Sequence, residues 1–273
     1  MGRLVDGILK AGRKSNKNMK KIVIGNWKMN PLTGKEAEKL FVGVARSISR
    51  IKKTARKTEV VICPPFLYLE KLKRISKKIS LGAQNCFWND VGAFTGEISG
   101  EMLCNINVKY VILGHSERRA LGETNALVNK KIKASIAAGL TPILCIGEST
   151  RDANHEYFNF IKKQIEECLN GIQKNLISKI IIAYEPIWAL SSTPLRRDAT
   201  SADSNEMVIF IRKILSDKFG PDAQKIRIIY GGSANEKDAE DFLRNGGVDG
   251  LLVGRASLDA KKFVEIIKIA ENL

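Results

Sequence analysis

The chain has 273 residues, of which 44% are hydrophobic and 27% are charged, and its formal net charge is +16 at pH 7. An apolar content near the globular norm excludes a disordered chain, a collagen and a coiled coil. No apolar run approaches the roughly 18 residues that a membrane-spanning helix needs, so we expect no contact with a membrane.

Short β-branched runs recur along the chain, and each is followed by a stretch with helical periodicity. The predicted strands are 22–24, 60–62, 79–83, 110–113, 143–146, 180–183, 226–229 and 250–253. The clearest predicted helices are 36–51, 158–169, 207–219 and 263–270. Buried strands that alternate with helices indicate a parallel sheet covered by helices. Eight such units in about 250 residues match an α/β fold of one closed (β/α)8 barrel.

A doubly wound open sheet is the alternative fold. It usually carries a glycine-rich dinucleotide-binding turn after its first strand, and Asn26-Trp27-Lys28 stands there instead. We therefore predict a single catalytic barrel over residues 19–273. Residues 1–18 are predicted to be a basic, flexible extension, and they contain no continuous apolar segment like that of a secretory signal.

The reactive groups of such a barrel lie where its strands end on the carboxyl side. Five predicted strands end in polar or glycine-containing segments, which are 26–28, 114–118, 184–186, 231–233 and 254–255. Each segment alone has an ordinary structural explanation, since a lone histidine or a Gly-Gly-Ser turn is common. Their joint placement on one rim predicts that a carboxylate, an imidazole, an ammonium and two glycine-containing loops meet at one cavity.

This combination suits proton abstraction next to the carbonyl of a phosphorylated substrate. Glu185 can remove a weakly acidic C–H proton if it is held dry and close. His115 can donate to the developing enediolate oxygen, while Lys28 supplies a fixed positive charge. Backbone N–H groups after the seventh and eighth strands can hold a phosphate dianion.

Several blocks of the sequence resemble the triosephosphate isomerase family. They follow one another from about Lys21 to the C-terminus, at 25–30, 81–85, 92–97, 112–119, 144–148, 183–189, 230–233 and 252–258. The resemblance implies a TIM barrel that interconverts dihydroxyacetone phosphate and glyceraldehyde 3-phosphate. It also implies a glycolytic and gluconeogenic role, with no metal and no cofactor.

Taken position by position, the resemblance implies Glu185 as the base and His115 as the neutral electrophile. Lys28 and Asn26 would bind the substrate, and Lys28 would also take part in catalysis. Glu117 would lie beside Lys28 and support it without contacting the substrate. The backbone N–H groups implied for phosphate binding belong to Ser191, Ser233, Gly254 and Arg255, and the further supporting residues are Thr95, Tyr230 and Gly232.

The family is typically dimeric, and residues 85–97 supply an apolar-rich loop that fits this expectation. The aromatic residues of the loop are Phe87, Trp88 and Phe94. Burial of the loop in a partner would cover a patch that is otherwise prone to aggregation. The resemblance implies that Thr95 reaches the partner's Asn26 and that Glu97 pairs with Arg118 across a homodimer interface. A loop folded back on its own barrel is the alternative.

Three segments depart from the family's pattern. The lid resembles the family only through Ala189, because residues 191–194 replace the expected Gly-Thr-Gly-Lys and a short insertion follows through 196–198. Arg255 stands where glycine is usual, which a backbone with negative φ tolerates. The extension over residues 1–18 is the third departure.

Five scattered cysteines without a CxxC pair argue against a disulfide framework or a zinc site, and favour a reducing cytoplasm.

The excess basic charge favours anionic ligands. We expect most of this charge in solvated lysine pairs and predict no specific nucleic-acid site. Examples of such pairs are Lys52-Lys53, Lys77-Lys78 and Lys130-Lys131.

The alternative functions are another sugar-phosphate barrel enzyme, or a catalytically weakened barrel that binds polyanions. His115, Glu185 and Lys28 argue against both.

Removal of residues 1–18 should leave turnover and the melting temperature nearly unchanged, because the first predicted strand begins after Met19 and the extension lacks strand or helix periodicity. Steady-state kinetics and thermal unfolding of the truncated and full chains test this. A truncated chain that fails to fold or loses most of its activity would show that the segment is structural.

Overall fold

The computed structural model describes residues 19–50, 57–190, 193 and 197–273. The predicted extension over residues 1–18, the Lys52-Lys53 pair, and Ser191 at the lid tip lie outside these ranges.

Eight parallel strands pair in chain order and close into a barrel, with the last strand beside the first. The strands are β1 Lys21–Asn26, β2 Thr58–Cys63, β3 Ser80–Ala83, β4 Tyr110–Leu113, β5 Thr141–Ile146, β6 Ile181–Tyr184, β7 Arg227–Tyr230 and β8 Gly250–Val253. This arrangement confirms the predicted closed (β/α)8 barrel, and the open doubly wound sheet is excluded.

Helices surround the barrel in the part of the chain that the structure describes. They are α1 Gly34–Arg50, α2 Phe66–Lys73, α3 Gly100–Asn105, α4 Ser116–Ala120, α5 Asn125–Ala137, α6 Glu156–Cys168, α7 Ser201–Phe219, α8 Ala239–Asn245 and α9 Ala260–Glu271. Short 3-10 helices lie at Lys174–Lys179, Ile187–Ala189, Gly220–Lys225 and Arg255–Leu258. The four predicted helices fall on α1, α6, α7 and α9. Among these helices none is long and apolar enough to cross a membrane.

The strands are buried on both faces, which explains why their sequences read as unbroken apolar runs. Ile22 and Ile24 point into the barrel, whereas Val23 between them packs towards the helices. The inward set also contains two thiols, Cys63 and Cys145, and both are fully buried. Burial raises the pKa of both thiols, and the charge of Glu185 adds to the effect at Cys145.

Closure of the barrel depends on a glycine at the junction of β1 and β8. Gly250 is paired with Ile22 in this register. A Cβ on Gly250 would lie 2.0 Å from the carbonyl oxygen of Ile22, so any side chain there would force the two strands apart. The sequence therefore contains the residue that allows the last strand to meet the first.

Lys131 is not solvated, contrary to the expectation for the Lys130-Lys131 pair. It is 4% exposed, whereas Lys130 is exposed. Its ammonium forms an ion pair with Glu123, which is itself 8% exposed, and donates to Oδ1 of Asn85 at 2.8 Å. A helix that packs against the barrel can bury a lysine when a carboxylate compensates the charge.

The buried pair fixes the turn that follows β4. Oε2 of Glu123 accepts the backbone N–H of Gly114 at 3.0 Å, and Arg119 donates from Nε to the carbonyl of the same glycine at 2.7 Å. Gly114 has φ +68°, a left-handed conformation that favours glycine. The residue that precedes His115 is therefore held from both sides.

The pKa of Glu123 lies below its usual range. Burial alone would raise this pKa, but the hydrogen bonds and charges of Lys131 and Arg118 outweigh burial. A carboxyl with a lowered folded-state pKa adds stability above its unfolded pKa of about 4.3, and that stability is lost as the pH falls through the folded value.

Glu123→Gln should lower the free energy of unfolding by about 3 kcal/mol at pH 7, because it leaves the ammonium of Lys131 buried without a countercharge. The difference from the natural chain should shrink as the pH is lowered below about 4, because Glu123 is then protonated in both states. Denaturant titrations at one protein concentration measure this. The control is Glu265→Gln, which removes an exposed ion pair with Lys268 and should cost less than about 1 kcal/mol. Equal costs for the two variants would contradict the account.

Candidate active site

A cavity of about 430 Å³ lies at the carboxyl ends of the strands. Eight of the predicted site residues line it together, namely Asn26, Lys28, His115, Glu185, Gly232, Ser233, Gly254 and Arg255. Within the described residues, no group of three or more His, Cys, Asp and Glu side chains is arranged to hold a metal ion.

Glu185 follows β6 and is 2% exposed. Its backbone N–H continues the sheet by donating to the carbonyl of Ile146 at 2.8 Å. Glycines stand on both sides of it, because a Cβ on Gly147 would lie 1.7 Å from the carbonyl oxygen of Glu185 and a Cβ on Gly231 would lie 2.8 Å from its Cγ. Gly147 therefore makes room for the backbone of Glu185, and Gly231 makes room for its side chain.

The two oxygens of the Glu185 carboxylate have different surroundings. Oε2 accepts the backbone N–H of Ser116 at 3.1 Å. Oε1 lies 3.2 Å from Nε2 of His115, and no donor in the described residues forms a well-aligned hydrogen bond with it. A buried carboxylate oxygen without a donor can accept a proton from a bound molecule.

His115 stands at the start of α4, and its ring is held by the backbone. The N–H of Glu117 donates to Nδ1 at 3.2 Å, so Nδ1 is an acceptor. In a neutral imidazole the hydrogen then resides on Nε2, the nitrogen that faces Glu185. The imidazole can thus offer a neutral N–H donor to the cavity.

Lys28 adopts φ +52°, which is rare for a residue with a side chain and is typical of functional sites. Its backbone N–H donates to Oδ1 of Asn26 at 3.0 Å, and its ammonium lies 2.6 Å from Oε1 of Glu117. Gln84 donates from its side-chain amide to the carbonyl oxygens of Lys28 and Cys63, both at 2.9 Å. The sequence analysis assigned no role to Gln84, whose contacts are with residues far away in the chain.

One wall of the cavity is made by the segments after β7 and β8. Gly232 must be a glycine, because a Cβ there would lie 2.2 Å from the hydroxyl of Tyr230. Gly254 faces Lys28, with its Cβ position 3.7 Å from Cε of the lysine. Arg255 is not among the described non-glycine residues with positive φ, so the backbone tolerates its side chain.

Tyr230 lies behind this wall and does not line the cavity. Its ring stacks on Phe242 with a centroid distance of 4.0 Å, and burial raises its pKa, with further contributions from Asp238, Asp203 and Asp198. Tyr230 therefore supports the wall from the protein interior.

The segment after Glu185 is held by Glu148, which the sequence analysis mentioned only within a family block. Oε1 of Glu148 accepts hydrogen bonds from Tyr184 and Trp188, both at 2.8 Å. The guanidinium groups of Arg151 and Arg197 lie over the Trp188 ring, at 5.2 and 4.5 Å from its centroid. Ser233 donates from its hydroxyl to the carbonyl of Ala189 at 3.1 Å. These contacts fix the segment that leads to the predicted lid, whereas the predicted phosphate donor Ser191 is outside the described residues.

The 85–97 loop is only partly as expected. Thr95 is exposed and does not reach the cavity of its own chain. Phe87 is 8% exposed; its ring stacks on Trp88 with a centroid distance of 3.9 Å and packs at an angle of 46° on Phe94 at 4.6 Å. The expectation of an exposed aromatic patch is therefore wrong for Phe87, because this side chain is packed within its own protomer.

Aliphatic side chains are nevertheless strongly exposed near the same rim. Met29, Leu32, Leu67, Val91 and Leu121 are between 82% and 90% exposed. All five belong to segments that follow the carboxyl ends of β1, β2, β3 or β4, so they lie on one side of the barrel. Several strongly exposed apolar side chains on one side of a molecule are typical of an interaction surface.

The family model described as triosephosphate isomerase matches residues 21–270. A curated triosephosphate isomerase of Alkaliphilus oremlandii is 42% identical over 256 residues, which cover 91% of this chain and 98% of the relative. Another, from Dehalococcoides mccartyi strain CBDB1, is 45% identical over 254 residues, which cover 91% of this chain and 96% of the relative.

Comparison with solved structures also indicates the triosephosphate isomerase family. The crystal structure of triosephosphate isomerase from Bartonella henselae superimposes with a TM-score of 0.78 at 36% sequence identity. The match covers 92% of this chain and 98% of that chain.

Proposed function

The chain belongs to the triosephosphate isomerase family and is thus an aldose–ketose isomerase for a phosphorylated triose; from this premise we propose that Glu185, His115 and Lys28 perform the reaction. The observation that carries the proposal is the buried Oε1 of Glu185, which has no aligned donor among the described residues and faces the imidazole.

In the proposed first step, Oε1 of Glu185 takes a proton from the carbon next to the substrate carbonyl. The electron pair of the C–H bond moves into a C=C bond, and the carbonyl oxygen becomes the enediolate oxygen. The Glu185 carboxylate is buried and its Oε1 has no aligned donor among the described residues, so this oxygen is available to accept the proton. Return of the proton to the neighbouring carbon completes the isomerisation.

His115 and Lys28 are proposed to stabilise the charge that develops on the oxygens. Nε2–H of His115 can donate to either oxygen of the enediolate while Nδ1 keeps its bond to the backbone of Glu117. The ammonium of Lys28 is held in place by Glu117, so it does not have to be reorganised during the reaction. Asn26 positions Lys28 through the hydrogen bond to its backbone.

The phosphate is proposed to bind between the segments that follow β7 and β8. Gly232, Ser233, Gly254 and Arg255 line the cavity there and offer backbone N–H groups. Ser191 would add another donor when the lid covers the cavity. Enclosure by the lid would exclude water and protect the enediolate from side reactions.

Glu185→Gln should lower kcat by about 10²- to 10⁴-fold, because the amide keeps the shape of the side chain but cannot accept the proton. A coupled assay on glyceraldehyde 3-phosphate measures the change. Glu166→Gln is the matched control, since it makes the same chemical change at an exposed position on α6 and should leave kcat unchanged. A Glu185→Gln enzyme that keeps more than a tenth of the natural kcat would refute the proposed base.

We also propose that the enzyme is a homodimer of the reducing cytoplasm, in which it serves glycolysis and gluconeogenesis. The cysteines support the compartment, because all five are free and four of them are buried. The exposed aliphatic side chains after β1 to β4 support the dimer, because a second copy would cover them. The neighbouring 85–97 loop, with Thr95 at its exposed end, would reach the partner's Asn26.

The combined change Leu67→Glu and Val91→Glu should convert the dimer into a monomer of about 30 kDa with reduced turnover. Both side chains are more than 80% exposed, so the charges should not disturb the fold of the protomer. Light scattering gives the mass. Phe160→Glu, an exposed apolar residue on α6, is the control and should stay dimeric. A natural chain that is monomeric, or a double variant that remains dimeric, would contradict this interface.

A further inference from the structure

The wall of the cavity after β7 and β8 carries several charged side chains. Glu236, Arg255, Asp259 and Lys262 all line it, and only Arg255 was considered from the sequence, for its backbone. A charge that another side chain or a backbone group already compensates is less available to a ligand than one without a partner.

The two acids on this wall have partners. Oε1 of Glu236 lies 3.5 Å from the ammonium of Lys262. Oδ1 of Asp259 accepts the backbone N–H groups of Lys261 and Lys262, at 2.8 and 3.1 Å, because Asp259 caps the start of α9. The Lys262 charge is therefore compensated by Glu236, and one oxygen of Asp259 is occupied by the backbone.

Arg255 differs from its neighbours on the wall. Its side chain is exposed, and no acidic side chain among the described residues forms an ion pair with it. It follows Gly254, whose Cβ position is 3.7 Å from Cε of Lys28, and Arg255 and Lys28 line the same cavity. A guanidinium is suited to an oxyanion, because its N–H groups match two oxygens at once.

We infer that the side chain of Arg255, in addition to its backbone N–H, binds the phosphate group of the substrate. This inference rests on the proposed function, since it takes the phosphate to lie against this wall. The phosphate does not change during isomerisation, so the contact is made equally in the ground state and the transition state. Such a contact lowers KM and leaves kcat largely unaffected.

Arg255→Gln should raise KM for glyceraldehyde 3-phosphate and the inhibition constant of inorganic phosphate by about two- to fivefold, the upper part of the range for an exposed ion pair. The change in kcat should be less than about twofold. With glyceraldehyde, which has no phosphate, kcat/KM should equal that of the natural enzyme. This last readout separates loss of a phosphate contact from general damage to the site, which would lower activity on both substrates.

Lys262→Gln is the matched control, because it removes one positive charge from the same wall while that charge is already paired with Glu236. It should change the phosphate inhibition constant by less than about twofold. Equal effects of the two variants would overturn the inference, because the phosphate would then respond to net charge rather than to a contact. An unchanged inhibition constant in Arg255→Gln would also overturn it. Arg255→Lys should give an intermediate constant, since lysine keeps the charge without the planar fork.

Failure of this inference can be distinguished from failure of the proposed function. Glu185→Gln should bind inorganic phosphate as the natural enzyme does, because the carboxylate is not part of the phosphate wall. If Glu185→Gln stays active, the proposed mechanism fails whatever Arg255 does. If Glu185→Gln is inactive and Arg255→Gln binds phosphate normally, only the role of the Arg255 side chain fails.

Discussion

The site depends on closure of the parallel sheet, which brings the carboxyl ends of eight strands to one rim. Closure requires β8 to pass next to β1, and Gly250 permits this by leaving room for the carbonyl of Ile22. Lys28 and Arg255 come from the two sides of that junction, while His115 and Glu185 come from strands further around the barrel. The cavity can exist only where all of these strand ends converge.

Within that frame, small residues and backbone groups position the side chains that we propose as catalytic. Gly147 and Gly231 make space for Glu185, and the backbone of Glu117 orients the ring of His115. The ammonium of Lys28 is positioned by its ion pair with Glu117. Such an arrangement is already set before a substrate arrives, so little reorganisation is left for the reaction.

The sequence is sufficient to predict the barrel, because its strands are buried on both faces and alternate with helices. It also predicts Glu185, His115 and Lys28 as neighbours, since strand ends of a barrel share one rim. It does not predict the buried Lys131, which in a lysine pair is indistinguishable from a solvated residue until its contact with Glu123 is known. Gln84 and Glu148 are missed for the same reason, because their contacts join distant parts of the chain. Phe87 shows that apolar content does not reveal whether a side chain is buried within its own chain.

The two thiols inside the barrel, Cys63 and Cys145, have a consequence for how the protein meets reactive chemicals. Only a thiolate reacts quickly with alkylating agents or oxidants. Burial disfavours the thiolate at both positions and also bars the reagent, since neither side chain has any exposed surface. Alkylation of these residues therefore requires the strands to separate, and its rate in native buffer records how often the barrel opens.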